Sequence, residues 1–168
     1  MLHKLAALAS IPAFVMALNL AGPTQGHASS GTLEQRGEAT FRWLGLPVYD
    51  ARLFTYGGQA LSWQQDFSLE LTYQRRLTRE NLTSSTQSEM QRLGFKSPAK
   101  PVLSGCFGDV KPGDKFYALT QGPDQIRFSL NGSKRCTLRH PDIRTGFMSI
   151  FLSQNSRAPG FSRRLKND

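Results

Sequence analysis

An α+β fold, with a few helices laid on one side of an antiparallel sheet, is what this sequence predicts. Three observations lead there. Apolar and polar residues alternate with period two in the first half of the chain, three short strands in the second half are joined by turn signals, and helical periods follow runs of strands rather than separating them. The 168 residues are 39% hydrophobic and 20% charged, which suits one domain with a sizeable core. No repeat or linker argues for a second.

The first residues, "MLHKLAALASIPAFVMALNLAGPTQGHASS", open with Lys4, run apolar from Leu5 to Ala21 and reach small residues at Gly26 and Ala28. This is the layout of a secretory signal peptide over residues 1–28, cleaved after Ala28. An uncleaved anchor is the alternative, although a run of roughly 17 residues broken by Pro12 is short for a spanning helix. The expected location is the periplasm or the outside of the cell. Polar residues 29–37 read as a mobile lead-in, and the domain as residues 38–168.

From Glu38 to Gly45, Ala39, Phe41 and Trp43 alternate with Glu38, Thr40 and Arg42 as in a half-buried strand. A second strand is expected over Val48 to Tyr56, opened by Pro47, with Tyr49, Ala51 and Leu53 on one face. Val48, Asp50, Arg52 and Phe54 take the other, so Asp50 and Arg52 answer each other or cross-strand partners. After the turn at Gly57 and Gly58, Phe67, Leu69, Leu71 and Tyr73 alternate with polar residues in the cleanest strand of the sequence.

The period then changes. Leu82, Met90 and Leu93 have helical spacing, Ser84 or Ser85 suits a cap and Gly94 a stop, predicting a helix over 84–93 after a turn at 78–82. The proline-rich stretch from Phe95 to Asp114 reads as a connection. Strands at Lys115 to Thr120, Gln125 to Leu130 and Lys134 to Leu138 follow, the last two joined by the hairpin signal "NGS". Pro141 and Asp142 open a second helix whose stripe is Ile143, Phe147, Ile150 and Phe151, and the basic tail adds a last turn.

The formal charge is +9, and +8 without the segment carrying Lys4. For an exported protein this charge suits an anionic membrane surface or cell-wall polymer and argues against nucleic acid; a generally cationic surface explains it as well. Arg75, Arg76 and Arg79 form a basic cluster that reads as a solvated face or a membrane contact. Only His140 remains beyond the N-terminal segment, and two cysteines cannot build a cysteine-rich zinc site, so no metal or other cofactor is inferred. Cys106 and Cys136 are candidates for a disulfide in an oxidising compartment, which spacing alone does not establish.

Several stretches together, "FRWLGLPVYDARLF", "FSLELTYQRRLTRENLTSSTQSEMQRLG", "GDVKPGDKF", "IRFSLNG" and "IRTGFMSIFLSQNSRAPGFSRRL", resemble the chalcone isomerase-like family in its exported bacterial branch. The resemblance implies an open-faced antiparallel β-sandwich with helices packed on one face and a cleft for an apolar ligand between helices and sheet. Members divide into chalcone isomerases, fatty-acid-binding proteins and proteins without assigned activity. The enzymatic branch's arginine, threonine, tyrosine and asparagine would fall near Ser30 or Gly31, on Arg42, near Thr78 and near Ser85. None matches in type, and a threonine that orients water is not replaced by an arginine.

Three function classes follow. A noncatalytic binder of a fatty acid or other small amphiphile ranks first, an envelope interaction protein without a cavity second, and an isomerase or lyase acting on another substrate third. Ligand-binding candidates are Arg42, Tyr49, Arg52 and Tyr73, the arginines because guanidinium pairs with carboxylate. Tyr49, Tyr73 and Trp43 read first as core filling and second as cleft lining, and Phe147, Met148 and Phe151 as core or as a lid over a cavity.

Overall fold

The structure, a computed structural model, describes residues 31–168. The predicted signal segment and the first two residues of the lead-in lie outside the described residues. Six strands form one antiparallel sheet in chain order: β1 (Leu33–Trp43), β2 (Leu46–Tyr56), β3 (Ser68–Tyr73), β4 (Lys115–Thr120), β5 (Gln125–Leu130) and β6 (Ser133–Arg139). Four helices complete the fold: α1 (Arg79–Arg92), α2 (Lys100–Cys106), α3 (Ile143–Leu152) and α4 (Pro159–Lys166).

The domain begins earlier than alternation suggests. Residues 33–37 are not a mobile lead-in but the first half of β1, with Leu33 opposite Tyr56 and Gly37 opposite Leu53. Their polarity marks an exposed edge strand, where the backbone ladder rather than apolar burial fixes the pairing. Arg36 ties this edge to the C-terminus by donating from Nε to Lys166 O at 2.9 Å and from Nη2 to Asn167 O at 3.2 Å. Gly37 permits the close approach of α4, since a Cβ there would stand 2.5 Å from Leu165 O.

One face of the sheet holds the core. Ala51 lies opposite Leu71 and Leu53 opposite Leu69, continuing through Phe116 and Ala118 to Phe128, Ile126 and Leu138. All are buried beneath Met90 of α1 and Ile143, Phe147, Met148 and Phe151 of α3. Each large apolar side chain so buried contributes about 1.5–3 kcal/mol before ordering costs. Gly146 lets α1 and α3 meet, for a Cβ there would lie 2.9 Å from Met90 Cε.

The other face is a ladder of charge. Arg52 reaches Glu38 with Nε at 3.5 Å and Glu70 with Nη1 at 3.5 Å, and Lys115 Nζ approaches Glu70 at 3.7 Å. Asp50 accepts from Thr40 Oγ1 at 2.6 Å and from the Gln74 side chain. Of the two expected arrangements, cross-strand partners are realised and an Asp50–Arg52 pair is not. The reason is geometric: directly opposed residues on neighbouring strands stand closer than i and i+2 on one strand.

All four helices differ from expectation in some respect. Thr78, not Ser84 or Ser85, caps α1: its Oγ1 accepts from Asn81 N at 3.1 Å while Asn81 Oδ1 receives the Thr78 N–H. The exposed first turn lacks apolar residues, so the periodicity starts a turn after the helix does. The stretch read as a connection contains α2, which Pro101 opens without losing a helical hydrogen bond. Cys106 at its end is disulfide-bonded to Cys136 on β6. The tail forms α4, two turns instead of one, and α3 starts after Asp142, which takes a left-handed conformation and donates its N–H to Asp124 Oδ1 at 2.8 Å. Among the described residues, no helix is long and apolar enough to cross a membrane.

Candidate functional site: an apolar cavity with a polar end

Between α1, α3, the segment leading into α4 and the first three strands lies a cavity of about 500 Å³, in the range of small-molecule sites. Phe41, Tyr49, Leu71, Tyr73, Phe147 and Phe151 supply its apolar wall. Strand alternation delivers the first four, since odd-numbered residues of β2, β3 and the second half of β1 face the helices. The rings brace one another: Tyr49 stacks on Phe41 at 5.1 Å and meets Tyr73 edge-on at 6.1 Å and Phe151 at 6.2 Å.

Tyr49 and Tyr73 are direct cross-strand partners. Burial pushes both phenols well above their usual range, and for Tyr49 the negative charges of an ionised Tyr73 and of Glu89 add to the effect. Both hydroxyls are protonated at neutral pH, as an ordinary tyrosine is, and burial holds them so into alkali. Among the described residues, no hydrogen bond contributes to either shift, and both residues line a space walled mostly by carbon.

One end of the cavity is charged. Glu89 of α1 is 7% exposed, and its Oε2 accepts from Arg92 Nε at 3.0 Å and Nη2 at 2.9 Å. Its Oε1 is ion-paired with Arg157 from the segment between α3 and α4. Arg92 Nη2 also donates to Asn155 O at 3.0 Å, so the pair of arginines ties α1 to that segment. Arg157 lies over the Trp43 ring at 5.9 Å, and both residues border the cavity. One carboxylate between two guanidiniums leaves this end with a surplus positive charge.

The four ligand-binding candidates separate into two pairs. Tyr49 and Tyr73 stand together in the cavity wall. Arg42 and Arg52 do not reach it: Arg52 belongs to the charge ladder on the opposite face, and Arg42 is exposed and donates from Nη1 to Gly45 O at 3.2 Å. Alternation with Phe41 and Trp43 turns Arg42 outward, beside Arg164 in a separate shallow depression. Of the positions carried over from the enzymatic branch, Thr78 is spent on the cap, Ser85 borders the cavity, and Arg42 lies outside it. Glu89, Arg92 and Arg157 were not anticipated. Glu89 had a signal, since Leu82, Ser85 and Glu89 share one helical face and a carboxylate there departs from the apolar stripe. Nothing local marks Arg157.

No protein-family model matches the sequence, and no curated protein matches it. Among solved structures the chain is similar to a fatty-acid binding protein of Arabidopsis thaliana, with a TM-score of 0.61 at 8% identity over 80% of this chain and 87% of that one. The six-stranded open antiparallel sheet with four helices is the chalcone isomerase-like fold. At that identity the likeness speaks for the fold alone.

Proposed function

We propose that this protein is a noncatalytic binder of a fatty acid or similar amphiphile, exported to the bacterial envelope as the reading of its first residues suggests. The observation that carries the proposal is the pairing of an apolar cavity with two buried phenol donors and a surplus guanidinium. A carboxylate head would accept from Tyr49 and Tyr73, neutralise the positive surplus around Glu89, Arg92 and Arg157, and leave its chain against the phenylalanines. The similar Arabidopsis protein is described as a fatty-acid binding protein, which agrees with this reading.

Catalysis is the weaker alternative because phenols held protonated above their usual range are poor proton shuttles at neutral pH. Native mass spectrometry of the protein purified from its own host tests the proposal. A retained mass on the order of a few hundred daltons, displaced by added laurate or palmitate, is expected for a ligand filling such a site. An empty protein that takes up neither acid would overturn it.

A further inference from the structure

The β1–β2 hairpin ends in a turn that is costly in two ways. Leu44 and Gly45 both take positive φ, 50° and 79°, the conformation of a two-residue type I′ turn. Asparagine or aspartate normally precedes the glycine there, because a side chain with φ above zero crowds its own carbonyl. Here the position holds leucine, and it is 86% exposed. Its neighbours Trp43 and Leu46 are 48% and 55% exposed. Among the described residues these three and Val102 are the only large apolar side chains so exposed, so the hairpin tip gathers nearly all of them. Neither turn geometry nor solubility accounts for such a residue choice, and strained positions of this kind cluster at functional sites.

The surroundings of the tip are cationic. Arg42 donates to the carbonyl of Gly45 within the turn, and Arg157 covers Trp43. The antiparallel order brings the end of β3 to the same edge of the sheet, where Gln74 N donates to Val48 O at 2.9 Å and exposed Arg75 and Arg76 follow. Of the acids near this edge, Asp114 and Asp50 are engaged by Asn131 and by Thr40 and Gln74, and Glu89 lies between Arg92 and Arg157, one carboxylate against two guanidiniums. Trp43, Val48, Arg75 and Arg157 also border the cavity, so the apolar tip lies beside the cavity's polar end.

We infer that the hairpin tip docks this protein on an anionic lipid bilayer, with Leu44 and Leu46 entering the interface, Trp43 lying at headgroup depth, and Arg42, Arg75, Arg76 and Arg157 meeting the lipid phosphates. Exposed leucine beside tryptophan suits the boundary between headgroup and acyl chain, and the arginines supply the complementary charge. Docked this way, the cavity's polar end faces the bilayer, from which an amphiphile enters. That last step rests on the binding reading above; the docking itself does not.

Flotation with vesicles of phosphatidylcholine alone, and of phosphatidylcholine with about a quarter phosphatidylglycerol, tests the inference. The protein is expected to float with the anionic vesicles, to be released by high salt, and to show a blue shift of Trp43 emission in a Trp63→Phe background. Leu44→Asn supplies the residue that the turn prefers, so it should melt no lower than wild type while its vesicle affinity falls about tenfold or more. Arg42→Ala and Arg75→Ala should lower the salt-sensitive part. Laurate binding by Leu44→Asn in solution reports separately on the cavity and is expected to be unchanged. Absence of binding to anionic vesicles, or full binding by Leu44→Asn, would overturn the docking; so would dimerisation through the tip in place of vesicle binding.

Discussion

Burial of the two cavity phenols makes the stability of this protein fall in alkali in a way that two methyl-sized changes abolish. An unfolded chain gives up a tyrosine proton near its ordinary value, about pH 10, whereas folded Tyr49 and Tyr73 hold theirs to higher pH. Between those points the native state binds more protons than the unfolded state, so stability falls as pH rises. Below about pH 9 both states are protonated and the two groups contribute no slope. From about pH 9 to about pH 11 each phenol removes on the order of 1 kcal/mol, and the pair roughly 3 kcal/mol. In Tyr49→Phe/Tyr73→Phe this loss is absent. At neutral pH that variant should stay within about 0.5 kcal/mol of wild type, because no hydrogen bond contributes to the shift of either deleted hydroxyl. Urea melts of both proteins at the two pH values read the difference directly. Parallel curves across the range would refute the burial of the two phenols.

The disulfide closes a loop of 30 residues, so Cys106→Ala/Cys136→Ala should lose about 3–4 kcal/mol, read as a fall in Tm of about 10 °C under oxidising conditions. Gly37→Ala drives a Cβ into Leu165 O and should cost about 1–3 kcal/mol, with amide exchange rising first along α4 and the N-terminal half of β1. Glu89→Gln removes the carboxylate between Arg92 and Arg157; partial exposure of both arginines moderates the loss of stability to about 1–3 kcal/mol. The same substitution raises the positive surplus at the cavity's end, so laurate affinity, measured by calorimetry, should increase rather than fall.

Much of the sheet is legible in the sequence because one of its faces is dry and the other wet. Phe67, Leu69, Leu71 and Tyr73 announce β3 by that contrast, and "NGS" announces the β5–β6 hairpin. The first half of β1 lacks the contrast, since as an edge strand it is held by backbone pairing and by contacts with α4 130 residues away. The start of α1 was written in Thr78 and Asn81, yet an apolar stripe beginning at Leu82 points past it. The same limit governs the site. Tyr49 and Tyr73 are found by strand register, while Arg42 and Arg52 satisfy the chemistry expected of a carboxylate partner but sit on the wrong side of the backbone. Arg157 enters the cavity only through the packing of the segment between α3 and α4 against Trp43 and Glu89, two residues distant from it in sequence.

The measurement that bears most directly on the central claim is the carboxyl resonance of an isotope-labelled fatty acid added to the protein. A carboxylate held by the two phenols in the cavity should give a resonance distinct from the free acid, one that does not follow the free acid's titration and moves in Tyr73→Phe. A bound acid whose carboxyl signal titrates like the free one, and is indifferent to Tyr49→Phe and Tyr73→Phe, would contradict the assignment of this cavity's polar end as the headgroup site.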